Sequence, residues 1–149
     1  MQVHIRRARS SDIKSIEMLN QRYNFELNRD WKKLATDKNT EIYVAIDSGK
    51  IVGFTGLIHY NWNDTLQILD VFVDPLARGK GYGRQIINFL LSKARRMKGY
   101  RSIIAEAPAK EGIDKFYAKL GFRKCGYNDR WYTNRGNGDI AIFMSYDLE

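Results

Sequence analysis

The spacing of hydrophobic side chains along the chain alternates between a period of two and a period between three and four. Strand-like runs, rich in β-branched and aromatic residues, cover residues 3–7, 41–47, 50–60, 65–73, 102–106, 122–132 and 139–148. Helical spacing covers residues 83–98, residues 110–120 and a segment that Ser10 or Ser11 could cap. Residues 22–36 predict a short helix within a loop. Strands followed by alternating helices and strands predict an α+β or mixed α/β domain.

A basic, glycine-rich loop lies between the strand-like run that ends near Pro75 and the helical run that begins at Gly83. It reads Arg-Gly-Lys-Gly-Tyr-Gly-Arg over residues 78–84. Glycine lets the backbone approach a ligand closely and adopt positive φ. A helix N-terminus adds unpaired N–H groups and the positive end of the helix dipole, which together favour a phosphate. The loop therefore predicts a phosphorylated cofactor, with a glycine-rich turn that binds nothing as the alternative.

The spacing of these glycines does not fit two other phosphate-binding loops. A P-loop needs Ser or Thr after its Gly-Lys pair, whereas Gly81 follows Lys80 here. A dinucleotide-binding fingerprint needs two residues between its second and third glycines, but only Tyr82 separates Gly81 from Gly83. The loop also follows several predicted strands, whereas that fingerprint opens a βαβ unit.

Four segments resemble the GNAT superfamily of N-acetyltransferases. The pattern Arg-x-x-Gly-x-Gly over residues 78–83 resembles the acetyl-CoA loop of that superfamily, and residues 71–75 resemble its central strand. The run Phe-Tyr-Ala-Lys-Leu-Gly-Phe over residues 116–122 resembles its later helix-to-strand signature. Residues 5–13 resemble its first strand and helix cap, so the resemblance covers nearly the whole chain.

This resemblance implies a single acetyl-CoA-dependent N-acetyltransferase domain over residues 1–149. The implied fold is a mixed, mostly antiparallel sheet of about seven strands, splayed at its centre, with about four helices. Acetyl-CoA would be the cosubstrate without any metal, the acceptor would be a primary amine of a small molecule or a protein, and a homodimer is left open. The residues implied to bind the cofactor are Val71, Phe72, Val73, Arg78, Gly79, Lys80, Gly81, Tyr82, Gly83, Arg84 and Lys110, the last in place of a common asparagine.

The resemblance also implies a general acid. Tyr117 matches the tyrosine that many family members place beside the CoA sulfur, and a phenol of pKa ~10 can protonate a leaving thiolate. The position of Tyr117 on a helical apolar stripe fits plain packing as well. A backbone N–H near Val71 or Phe72 could polarise the thioester carbonyl.

Two carboxylates are candidates for the general base. Asp70 lies inside a predicted strand, where Asp is unfavourable, and a buried carboxylate with a raised pKa could accept the amine proton. A structural hydrogen bond is the alternative for Asp70. Glu106 ends the next strand, but Ala105 occupies the position of the family's usual glutamate. A shift of one residue along a strand places a side chain on the opposite face of the sheet, which weakens the case for Glu106. Gln67, where some relatives carry a catalytic glutamate, cannot act as a base.

The length, hydrophobic content, net charge and cysteine count of the chain limit the functions that it could have. The chain has 149 residues and is 44% hydrophobic, which predicts a globular fold with a core. The net charge of +8 favours anionic ligands, but the basic clusters are short, so a solvated surface is favoured over a nucleic-acid site. No apolar run reaches the ~20 residues of a membrane span and no signal peptide is evident, so we expect a cytoplasmic protein. The single Cys125 excludes an internal disulfide and a cysteine metal cluster.

The acceptor and the catalytic competence of the chain stay open. Aromatic residues that could line an acceptor slot, or simply form core and dimer surface, are Tyr23, Phe25, Trp31, Tyr60, Trp62, Tyr127, Trp131 and Tyr132. The other functions that the sequence leaves open are transfer of a different acyl group, CoA binding by a regulatory module without catalysis, and nucleic-acid binding. Tyr117 is the feature that favours a catalyst over a module.

Overall fold

The computed structural model describes residues 2–23, 29–132 and 140–149. The helices are α1 (Ser10–Tyr23), α2 (Trp31–Thr36), α3 (Tyr82–Arg96) and α4 (Ile113–Lys119). The strands are β1 (His4–Arg7), β2 (Thr40–Asp47), β3 (Lys50–Tyr60), β4 (Thr65–Val73), β5 (Ser102–Pro108), β6 (Arg123–Asn128) and β7 (Ala141–Asp147). Short 3₁₀ turns cover Pro75–Ala77 and Ala109–Glu111. Within these ranges no helix is long and apolar enough to cross a membrane, and no group of three or more His, Cys, Asp or Glu side chains could hold a metal ion.

The seven described strands form one sheet in the order β1-β2-β3-β4-β5-β7-β6. The pairs β1/β2, β2/β3, β5/β7 and β6/β7 are antiparallel, whereas β4 and β5 are parallel. The parallel ladder pairs Thr65–Gln67 with Ser102–Ile104 and ends there, although both strands continue. These features confirm the predicted mixed, mostly antiparallel sheet of seven strands, with a short ladder between its two middle strands.

The contacts of the described residues divide the chain into two compact units. The first unit contains Met1–His59 and Leu69–Leu90, and the second contains Tyr60–Ile68 and Leu91–Glu149. Strand β4 and helix α3 therefore contribute residues to both units. The assignment of residues 1–149 to one acetyltransferase domain stays a prediction.

Aromatic packing forms the centre of the core of the first unit. Trp31 lies edge-on to Phe54 with ring centroids 5.1 Å apart, and Phe54 stacks on Phe72 at 4.8 Å. Trp31 is only 1% exposed, so this candidate for an acceptor slot is a core residue. A Cβ at Gly53 would lie 2.6 Å from the carbonyl oxygen of Phe72, so only glycine lets the backbones of β3 and β4 approach this closely.

Several predicted boundaries differ from the structure, among them the starts of α1 and α4 and the end of β6. Ser10 is the first residue of α1 instead of its cap, and the cap bond runs from the Arg9 N–H to the side chain of Asp12 at 2.7 Å. The helix predicted over residues 110–120 begins only at Ile113, because Gly112 adopts a φ of 69° and separates it from the preceding 3₁₀ turn. Strand β6 ends at Asn128 instead of residue 132.

Candidate functional site

The glycine-rich loop of the first unit is an open turn at the N-terminus of α3. Asp74 caps the 3₁₀ turn after β4 by accepting a hydrogen bond from the N–H of Leu76 at 3.0 Å. Gly79 and Gly81 then adopt φ values of 82° and 80°, and a Cβ at either position would meet no atom within 4 Å. The first N–H groups of a helix have no partner inside it. The turn therefore presents bare main chain and helix N–H groups, an arrangement that suits a phosphate.

Basic side chains surround this loop in two different ways. Lys80 and Arg84 are exposed, and neither forms an ion pair within the described residues. Arg78 instead donates from Nε to the carbonyl oxygen of Val73 at 3.1 Å, which ties the loop to the end of β4. All three side chains stay cationic, so each has charge to offer an anion at this turn.

A buried tyrosine fixes the start of α3. The side chain of Tyr82 is 1% exposed, and its hydroxyl donates a hydrogen bond to the carboxylate of Asp47 at the end of β2. This bond holds the pKa of Asp47 below its usual value, and it raises the pKa of Tyr82. Any contact of Tyr82 with a cofactor would therefore use its main chain. Sequence reasoning missed Asp47, because nothing local marks a partner 35 residues away from Tyr82.

The end of β4 presents alternating faces. Phe72 is buried between Tyr23, with ring centroids 6.1 Å apart, and Phe54. Val71 and Val73 point to the opposite face and are half-buried. The implied cofactor contacts of these three residues use main-chain groups, so the burial of Phe72 leaves that prediction intact.

Asp70 forms an ion pair with a residue that the sequence did not suggest. Its two carboxylate oxygens accept hydrogen bonds from Arg29, at 2.6 Å from Nε and 3.2 Å from Nη2. Arg29 Nη2 also donates to the carbonyl oxygen of Leu69 at 3.3 Å, and Thr55 Oγ1 donates to the carbonyl oxygen of Asp70. Burial raises the pKa of Asp70, and the neighbouring Arg29 acts in the opposite direction. The raised pKa agrees with the expectation for a buried carboxylate. Both carboxylate oxygens of Asp70, however, already accept hydrogen bonds from the guanidinium of Arg29.

In the second unit a chain of hydrogen bonds joins Tyr60, Gln67 and Glu106. Tyr60 donates its hydroxyl to Gln67 Oε1 at 2.8 Å, and Gln67 Nε2 donates to Glu106 Oε2 at 3.2 Å. Glu106 is half-buried, whereas the neighbouring Ala105 is fully buried on the opposite face of β5. Glu106 is therefore a β5 residue that reaches Gln67, whose amide donates to its carboxylate.

Tyr117 lies on α4 within an aromatic cluster of the second unit. Its side chain is 5% exposed, and its ring lies edge-on to Phe116 at 5.4 Å and to Phe122 at 5.2 Å. This packing is compatible with either role weighed for Tyr117. Lys110 falls on the 3₁₀ turn before Gly112, and its side chain lies outside the described structure, as does all of Phe25.

A family model links these features to a known class of protein. The model of the acetyltransferase (GNAT) family matches residues 6–122 of the chain, a span that includes the glycine-rich loop, Glu106 and Tyr117. Because the match covers most of the chain, this protein belongs to the GNAT acetyltransferase family. The family resemblance of the sequence motifs is thereby confirmed.

Sequence relatives carry acetyltransferase names. The chain is 33% identical over 123 residues to an amino-acid acetyltransferase of Mycobacterium tuberculosis, a match that covers 79% of this chain and 67% of the relative. It is 28% identical over 111 residues to streptothricin acetyltransferase of Streptomyces lavendulae, covering 73% of this chain and 59% of that protein. The chain thus spans about two thirds or less of the length of these two relatives.

Solved structures confirm the fold at low sequence identity. A spermidine N-acetyltransferase from Vibrio cholerae, solved in complex with CoA and spermine, superposes with a TM-score of 0.83 at 19% identity, covering 99% of this chain and 96% of that one. A ribosomal-protein-alanine N-acetyltransferase from Escherichia coli gives a TM-score of 0.85 at 18% identity, covering 99% and 95%. At these identities the likeness shows a shared fold.

Proposed function

We propose that this protein is an acetyl-CoA-dependent N-acetyltransferase that transfers the acetyl group directly to a primary amine. The observation that carries this proposal is the open loop of Gly79–Arg84, which offers bare main chain and helix N–H groups in a chain of the GNAT family. The acetyltransferase names of its relatives, and the CoA in the Vibrio cholerae structure, support the same cosubstrate.

The loop and β4 hold the donor in this proposal. Backbone N–H groups of Gly79–Arg84 bind the pyrophosphate of acetyl-CoA, and Lys80 and Arg84 neutralise its charge. The pantetheine amides form hydrogen bonds with the main-chain groups of Val71 and Val73, in the way that a neighbouring strand would. An N–H near Val71 or Phe72 then polarises the thioester carbonyl, a contribution worth ~3–4 kcal/mol for one preorganised donor.

Glu106 is the proposed base. The attacking nitrogen bonds to the thioester carbonyl carbon, the carbon–sulfur bond breaks, and the products are an amide and CoA. Glu106 accepts the proton that the amine loses, either directly or through water, and Tyr117 protonates the departing thiolate. Asp70 is the weaker candidate because accepting a proton would disrupt its ion pair with Arg29. We assign Asp70 to holding Arg29 in place.

A CoA-binding regulatory module is the second candidate. The observation behind it is the packing of Tyr117 among aromatic rings, since a packing role for that residue requires no catalysis. Two measurements distinguish the enzyme from the module. One is acetyl-CoA binding by calorimetry, and the other is release of the CoA thiol with a panel of small amines and peptide N-termini. Binding with thiol release for at least one amine supports the enzyme, whereas binding without release for every amine supports the module. No binding at all would contradict both.

A further inference from the structure

A groove in the first unit lies apart from the glycine-rich loop. It has a volume of about 740 Å³ and is lined by α1, α2, Ile42 of β2 and the connection between β1 and α1. None of its lining residues belongs to Gly79–Arg84. Sites for small molecules typically have volumes of about 300–1,000 Å³, so this groove has the size of a small-ligand site.

The floor of the groove is apolar. Ile13 of α1 and Ile42 of β2 are 7% and 3% exposed, and Ala8 and Ala35 continue the same surface. Met18 also lines the groove and is 55% exposed, a large apolar side chain with much of its surface in water. A ligand that covers this surface gains from removing apolar area from water.

The rim of the groove is basic. Arg9, Lys14 and Lys32 line it, and none of the three forms an ion pair within the described residues. Glu17 is the carboxylate of the described lining, and it also forms no ion pair there. Arg7 lines the groove too, but its charge is compensated by Glu41 at 3.2 Å. Three cations against one carboxylate leave the groove with a positive potential.

We propose that this groove binds a small organic anion with an apolar body. The carboxylate or phosphate of the ligand lies against Lys14 and Lys32, which approach from α1 and α2, and its hydrocarbon body covers Ile13, Met18 and Ile42. The sign of the rim charge selects an anion over a cation, and the apolar floor selects an amphiphile over an inorganic ion. The site is independent of acetyl-CoA binding at the loop.

Octanoate is the probe that tests this proposal, because it combines one carboxylate with a flexible apolar chain. We expect a titration of ¹⁵N-labelled protein to give saturable amide shifts that centre on α1 and α2. Octyltrimethylammonium has a similar chain and the opposite charge, and its quaternary nitrogen cannot accept an acetyl group. We expect it to shift the same amides weakly or not at all.

Charge-reversal variants test the rim directly. We expect Lys14→Glu and Lys32→Glu each to weaken octanoate binding about threefold to tenfold. Lys33→Glu is the matched control, since Lys33 is exposed on the same helix as Lys32 but does not line the groove. The proposal is overturned if octanoate shifts centre on Gly79–Arg84, if no amide shifts, if the cation binds as well, or if Lys33→Glu weakens binding as much as Lys32→Glu.

Discussion

The glycine-rich loop of the first unit and the Tyr60–Gln67–Glu106 chain of the second unit use the polypeptide in opposite ways. The loop works through its main chain, because Gly79 and Gly81 hold positive φ with open space where a side chain would stand. The Tyr60–Gln67–Glu106 series works through side chains from three strands, which are joined by hydrogen bonds of 2.8 and 3.2 Å. Holding a phosphate needs local backbone freedom, whereas holding a base needs the correct register of distant strands.

The largest effect that this comparison predicts is at Glu106. Glu106→Gln keeps the size of the side chain and removes its capacity to accept a proton, so we expect kcat/KM to fall about a thousandfold. The affinity for acetyl-CoA, measured by calorimetry, should stay within about twofold. Glu111→Gln, an exposed glutamate on the following 3₁₀ turn, is the matched control and should leave kcat/KM unchanged.

Asp70→Asn distinguishes the two carboxylates. Removing the charge that pairs with Arg29 should lower the free energy of unfolding by about 3 kcal/mol, measured by urea denaturation. The pH dependence of kcat/KM should keep its shape in this variant, because we assign the role of base to Glu106. A pH profile that flattens in Asp70→Asn and survives in Glu106→Gln would transfer the role of base to Asp70.

Gly81→Glu tests the other region in this comparison, the glycine-rich loop. Gly81 has a φ of 80°, which strains any residue with a side chain, and the new carboxylate would repel a phosphate at the turn. We expect acetyl-CoA affinity to fall about a hundredfold, measured by calorimetry. Gly99→Glu carries similar backbone strain at a φ of 97° and, like Gly81, meets no atom within 4 Å. The two variants should lose similar stability, and retained affinity in Gly81→Glu would refute the phosphate role of the loop.

Tyr117→Phe separates catalysis from packing in the second unit. The variant keeps the ring that contacts Phe116 and Phe122 and removes only the hydroxyl. If the hydroxyl protonates the thiolate, kcat should fall about tenfold to a hundredfold while acetyl-CoA affinity changes little. Tyr127→Phe is the control at a tyrosine that is 73% exposed. Equal kcat values for both variants and the wild type would reduce Tyr117 to a packing residue.

The smallest effect concerns the support of the loop. Tyr82→Phe removes the hydrogen bond to Asp47, which should loosen the start of α3 and weaken acetyl-CoA binding about fivefold. That bond lowers the pKa of Asp47 from its ordinary 3.8, so its contribution to stability is present above pH 3.8 and is lost as the pH falls through the lowered pKa. The free energies of unfolding of the wild type and Tyr82→Phe, measured by urea denaturation, should therefore differ at neutral pH and converge in acid. A difference that persists in acid would contradict this origin.

The sequence predicted features that depend on neighbouring residues and missed contacts between distant ones. The bounds of β3 and β4 and the positive φ of the loop follow from local patterns, and the structure agrees with both bounds. The Arg29–Asp70 ion pair joins residues 41 positions apart, and the Gln67–Glu106 bond joins residues 39 positions apart. No local pattern reports such pairs, since they depend on strand register and on which face each side chain occupies.

Calorimetric titration of the purified protein with acetyl-CoA tests most directly whether the loop binds the diphosphate of the cosubstrate. The wild type should bind one acetyl-CoA per chain with saturable heat, and Gly99→Glu should bind with comparable affinity. Gly81→Glu should give no saturation over the same concentrations. Absence of heat in the wild type at millimolar acetyl-CoA would contradict the proposed cosubstrate and, with it, the assignment of this loop.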